Sequence, residues 1–95
     1  MNKKTDNEKL HQMAVGFALR YMRKRTGIPL YEIEIRIGTS NMSLSRWERG
    51  VNDIPSNKLQ ALASLYGTTG DNIIALANDI TEIVEKELID RVSPI

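Results

Sequence analysis

Residues 30–50 read LYEIEIRIGTSNMSLSRWERG, and this stretch decides the fold. Leu30 to Ile37 has the apolar spacing of a short helix, with Ile33 and Ile37 one turn apart and facing the same side. Gly38 interrupts it, and a residue without a Cβ lets the chain reverse at positive φ. Thr39 or Ser40 can cap a second helix from Asn41 to Arg49. That helix offers Leu44 and Trp47 inward and stops at Gly50. Two short helices joined tightly around a glycine form a helix-turn-helix. Such packing leaves one face of the second helix free, and that face carries Asn41, Met42, Ser43, Ser45, Arg46 and Arg49. It is polar, short-chained at its start and basic further on. A helix of this width fits the major groove of duplex DNA with its first residues toward the base edges.

Working outward, residues 1–9 are polar and are expected to form a mobile tail. Leu10 to about Arg25 reads as a first helix, in which Gly16 is the weak point. Val15, Leu19 and Met22 make one apolar stripe along it; Leu10, Met13, Phe17 and Tyr21 make another. A helix apolar on two sides is expected to be covered on two sides. Gly27 ends it, and Pro29 opens the next helix without losing a hydrogen bond. After the loop Val51–Asn52–Asp53, a fourth helix runs from about Asn57 to Tyr66. Asp71 is expected to cap a fifth, which reaches about Val92. The division is a tail over 1–9, a DNA-binding domain over 10–70, and an amphipathic dimerisation helix within 71–95. The fold class is all-α.

The totals narrow the function. With 95 residues the chain has room for one domain and a short appendage. It has no cysteine and one histidine, His11, which excludes disulfides and thiolate metal sites and leaves no set of ligands for zinc. No cofactor is expected. No apolar run approaches the roughly 20 residues of a membrane span, and residues 1–9 lack the apolar core of a secretion signal, so the expected location is the cytoplasm. Net charge is only +1, yet residues 1–60 carry eleven Lys/Arg against six Asp/Glu, and residues 61–95 carry two against six. A basic front and an acidic back suit a protein that turns one face to a polyanion. No nucleophile–base pair, metal cluster or phosphate loop is present, so an enzyme is not expected.

The sequence resembles the Cro/lambda-repressor-like, Xre-type family of helix-turn-helix regulators from about Gly16 to about Leu76. The resemblance rests on Leu19-Arg20 and Arg23, Ile33, Gly38, and above all Leu44-Ser45-Arg46-Trp47-Glu48-Arg49-Gly50. Ile54-Pro55-Ser56, Leu59, Leu62-Ala63 and the turn from Gly67 to Ile74 follow at matching spacing. It implies a five-helix lambda-repressor-like domain with an extended C-terminal helix. Three positions depart from the family. Leu30 stands where a phosphate-binding glutamine is usual, Glu34 where a small residue lets the two helices approach, and Pro29 where a Ser/Thr cap is usual.

On this resemblance Asn41, Met42, Ser45 and Arg46 are expected to face bases. Asn suits adenine, Arg suits guanine, and Met suits a thymine methyl. Ser40, Ser43, Arg49, Asn52 and Lys58 are expected at phosphates, with capping as the competing role for Ser40 and a plain surface position for Lys58. Arg23 and Glu48 match the family's internal ion pair, and Trp47 its core. Lys3, Lys4 and Lys9 belong either to the tail or to an arm along the DNA backbone.

The fifth helix shows Ile73, Leu76, Ala77, Ile80, Ile83, Val84, Leu88 and Val92 on one broad side and Asp79, Glu82, Glu85, Lys86, Asp90 and Arg91 on the other. That apolar face needs cover, from the second stripe of the first helix, from another subunit, or from both. The expected dimerisation residues are Ile73, Leu76, Ile80, Ile83, Val84 and Leu88. One such domain supplies few discriminating contacts, so a homodimer on a pseudo-palindromic DNA operator is expected. The reading is therefore a cytoplasmic DNA-binding transcriptional repressor. The alternative is an antitoxin or adaptor whose C-terminal helix binds a toxin or an antagonist protein.

Overall fold

A computed structural model describes residues 4–92; Lys3 lies outside the described residues. Within them the chain forms five helices and no strand: α1 (Asp6–Thr26), α2 (Leu30–Ile37), α3 (Asn41–Glu48), α4 (Ser56–Leu65) and α5 (Gly70–Val92). The helix starts follow from local chemistry. Helix α1 begins four residues before the expected Leu10 because a capping box lies upstream of the first apolar residue. The Glu8 amide donates to Thr5 Oγ1 at 3.2 Å, and the Thr5 amide donates to Glu8 Oε1 at 3.4 Å. Helix α5 is capped by Thr69, whose hydroxyl accepts from the Asn72 amide at 3.1 Å. The expected cap, Asp71, instead sits in the first turn, where its charge favours the positive end of the helix dipole.

Every helix contributes to one core. Ala14, Ala18 and Leu19 of α1, Ile33 of α2, Leu44 of α3, Leu62 and Ala63 of α4, Tyr66, and Ile73 and Ala77 of α5 are buried together. Alanines at 14, 18 and 77 let α1 and α5 lie close, and this is the most extensive helix pair of the fold. Trp47, expected in the core, is only partly buried and packs against its edge.

Two expectations about cover change. Ile73 is fully spent in the chain's own core and is not free for a partner, while Leu76 and Ile80 pack partly against that core. Most of the second stripe of α1 stays uncovered, because the column that the fold buries is the neighbouring one of Ala14 and Ala18. Met13, Phe17 and Tyr21 therefore remain exposed. At about 1.5 Å per residue, the 23 residues of α5 extend roughly 34 Å, and its last three turns outrun the core, leaving Ile83, Leu88 and Ile89 in solvent.

Candidate nucleic-acid interface

The site is built around α3. Gly38 at φ 70° makes the reversal between α2 and α3. Ser40 then caps α3: its Oγ accepts from the Ser43 amide at 3.1 Å and donates to Ser43 Oγ at 3.1 Å. Leu44, buried against Ile33 and the rest of the core, fixes which side of α3 faces in. The opposite side presents Asn41, Met42, Arg46 and Arg49, all exposed or half-exposed, with Ser43 and Ser45 partly buried at its margin. Met42 is 62% exposed, a large apolar side chain on an otherwise polar face. Among the described residues, neither Arg46 nor Arg49 is paired with a carboxylate. Arg49 Nε does contact Ser45 Oγ at 3.3 Å.

The far end of α3 is braced by α1. Arg23 Nε donates to Glu48 Oε2 at 2.7 Å, and Nη2 to Oε1 at 2.9 Å. The pair is largely buried, and its hydrogen bond is the main reason the Arg23 guanidinium holds its proton more firmly than usual. Earlier on α1, Gly16 and Gln12 meet the same end. A Cβ on Gly16 would lie 2.4 Å from the Trp47 carbonyl oxygen and 2.6 Å from that of Glu48. Gln12 Nε2 donates to the Gly50 carbonyl at 2.7 Å, and Lys4 pairs with Asp53 in the loop that follows. Asn52 stands exposed in that loop.

Lys58, expected at a phosphate, is engaged within the chain. Its ammonium donates to the carbonyls of Ile37 at 2.8 Å and Gly38 at 3.2 Å, closing the C-terminus of α2 at the turn. A cation there satisfies orphan carbonyls and the negative end of the helix dipole. Glu34 is partly exposed, so a carboxylate at that usually small position is not sealed in the core. Pro29 begins α2 without a side-chain cap.

Sequence reasoning gives no site role to Arg20. It lines a notch of about 230 Å³ between α1, α2 and α3, together with Leu30, Asn41, Ser45 and Arg49. Arg23 and Glu48 also reach this notch but neutralise each other, so Arg20 and Arg49 supply its charge. The available signal is spacing: Arg20 lies three residues before Arg23, on the adjoining column of the helix. Near the Arg23–Glu48 pair, the Tyr66 hydroxyl is buried with no hydrogen-bond partner among the described residues. Burial chiefly, and the Glu48 charge secondarily, push that phenol well above its usual range.

Among the described residues, no group of three His, Cys, Asp or Glu side chains is placed to hold a metal, and no helix is long and apolar enough to cross a membrane. Residues 14–76 match the family model of a helix-turn-helix domain. The fold is similar to the crystal structure of the clp gene regulator ClgR from Corynebacterium glutamicum. The TM-score is 0.76 at 27% sequence identity, over 87% of this chain and 88% of that one. No curated protein sequence gives a significant match.

Proposed function

The chain belongs to the family of helix-turn-helix domains, and from that premise we propose that it is a sequence-specific, dimeric transcriptional repressor that reads a pseudo-palindromic operator through the major groove. The observation that carries this reading is the α3 face itself. Asn41, Met42 and Arg46 stand on the outer side of a helix whose end is clamped by Arg23 and Glu48, and the two arginines of that face have no carboxylate partner among the described residues. Asn41 and Arg46 are the base readers, with Met42 against a thymine methyl and Ser45 at the margin. Ser40, Ser43, Arg49 and Asn52 flank them at the phosphates, and Arg20 joins this set from α1. The similarity to a clp gene regulator supports the regulatory role.

Two copies are needed because one recognition helix offers only a few contacts of about 1–3 kcal/mol each. The exposed apolar residues of α5, Ile83 and Leu88, with Val84 partly exposed between them, are the surface on which a dimer is built. Repression is favoured over activation because occupying a promoter suffices for it.

The test is selection of bound duplexes from a random pool, followed by fluorescence anisotropy on the winner. The expected result is an enriched sequence of two inverted half-sites about one helical turn apart, bound with strong salt dependence. Binding at moderate salt without enrichment of any sequence would overturn the reading. A second reading, an antitoxin or adaptor that regulates its own gene, draws on the acidic, apolar end of α5. A second protein that co-purifies with the native chain and masks Ile83 and Leu88 would favour it.

A further inference from the structure

The chain carries two unpartnered apolar surfaces with opposite charge at their edges. The first is the outer column of α1, where Met13, Phe17 and Tyr21 are 57, 60 and 47% exposed and lie beside Lys9, Arg20 and Lys24. Phe17, Arg20, Tyr21 and Lys24 together line an open, mostly apolar groove. The second is the overhanging end of α5. There Ile83 and Leu88 are 68 and 55% exposed and line a groove with Val84, Glu87 and Arg91, the last two paired with each other at 3.2 Å, while Glu82, Glu85 and Asp90 outnumber Lys86 on the same turns. One surface is edged by cations and the other mainly by carboxylates.

Both surfaces lie on the packed pair of α1 and α5. Helices α1 and α5 pack along each other, and the Met13–Phe17–Tyr21 column lies next to the buried Ala14–Ala18 column. The chain's own α5 leaves this α1 column exposed, since Ile73 and Ala77 anchor α5 in the core. A second copy is under no such restriction. Resting on the dimer proposed above, we infer that the end of α5 from each protomer seats on the Met13–Phe17–Tyr21 column of its partner's α1, reciprocally about a two-fold axis.

The occupant is a second copy on three grounds. The rims are complementary in sign. Each copy carries both patches, so a two-fold contact satisfies the pair reciprocally. The size is at the low end of stable interfaces: buried in full, the exposed side chains of the two patches offer roughly 600 Å² per protomer, against ~800 Å² per partner of a standard interface. This arrangement differs from simple pairing of α5 with α5, in which the aromatic column of α1 plays no part.

The experiment is sedimentation equilibrium of the full chain and of five variants: Phe17→Ser, Ile83→Ser, Lys24→Glu, Glu87→Lys, and the last two combined. All the altered side chains are exposed, and circular dichroism checks that helix content is retained. Phe17→Ser and Ile83→Ser are each expected to raise the dimer Kd at least tenfold. Lys24→Glu and Glu87→Lys are each expected to raise it severalfold, and the combination to return it close to that of the unaltered chain. If Ile83→Ser dissociates the dimer while Phe17→Ser and both charge variants leave it intact, α5 meets α5. This inference then fails while the dimeric repressor stands. An unaltered chain that stays monomeric, both free and on its selected duplex, overturns both.

Discussion

Arg23 and Glu48, twenty-five residues apart in sequence, hold each other through two parallel hydrogen bonds of 2.7 and 2.9 Å. The Glu48 side chain is 7% exposed and that of Arg23 19%, so neither charge has much water to fall back on. The pair ties the last turns of α1 to the end of the recognition helix. Glu48→Gln should lower the unfolding free energy by about 3 kcal/mol, because it strands a buried guanidinium. Replacing both residues, Arg23→Met with Glu48→Leu, should recover most of that loss in urea titrations, since the cost lies in the unpaired charge. A double variant as unstable as Glu48→Gln would show that the pair itself supplies the stability.

Gly16→Ala is expected to destabilise the fold by at least ~2 kcal/mol, against a helix-propensity gain of about 1 kcal/mol for the same change. The reason is steric: a methyl at 16 meets the carbonyl oxygens of Trp47 and Glu48 at 2.4 and 2.6 Å. Backbone cannot yield as a flexible side chain does, so α1 must lift from the end of α3. The melting temperature checks this, and a stabilised variant would mean that the two helices separate without cost.

Tyr66→Phe should leave the fold as stable or make it more stable by up to about 1 kcal/mol, since it removes a buried hydroxyl that has no partner among the described residues. The phenol also has a pH signature. Its pKa is raised on folding, so its contribution is complete below the unfolded value near 10 and is lost as pH climbs beyond it. The unaltered chain should lose up to about 1.4 kcal/mol per pH unit there, and Tyr66→Phe should show a shallower fall. Equal alkaline slopes for the two proteins would refute this.

Lys58→Met separates a structural lysine from one that binds phosphate. Its ammonium lies on the Ile37 and Gly38 carbonyls, at the turn that positions α3. The variant should lose about 1 kcal/mol of stability, as for a cation at a helix C-terminus. DNA affinity should fall modestly, with an unchanged dependence on salt. A salt slope lower by about one would place Lys58 on a phosphate instead.

These interactions mark where sequence reading succeeds and where it stops. The helix-turn-helix is legible because its determinants are local: Ile33, Gly38 and Leu44 lie within a dozen residues, and periodicity relates them directly. The start of α1 is harder to place because its cap, Thr5 with Glu8, precedes the first apolar residue and has no periodic signature. Lys58 on Ile37, and Gln12 on Gly50, join residues 21 and 38 apart, and no local rule pairs a long polar side chain with a distant carbonyl. Ile73 shares a face with Leu76 and Ile80, so periodicity alone does not reveal that the core claims it. Periodicity likewise shows that the Met13–Phe17–Tyr21 column is apolar, without showing whether the chain itself supplies the cover.

Arg20 and Arg46 are both basic and exposed, yet they should behave differently on DNA. Arg46 lies on the outer face of α3, and Arg20 lies on α1 at the notch beside Asn41, Ser45 and Arg49. Arg46→Ala should cost about 1–3 kcal/mol on the selected operator and relax preference at one position of each half-site. Arg20→Gln should weaken all sequences alike, and the slope of log K against log salt should fall in magnitude by about 0.9 for each phosphate that Arg20 neutralises. Both parts can be read from anisotropy titrations over a range of salt concentrations on the operator and on single-site variants. A change in base preference for Arg20→Gln, or an unchanged salt slope, would remove Arg20 from the phosphate-binding set and leave the α1 side of the notch without a role in binding.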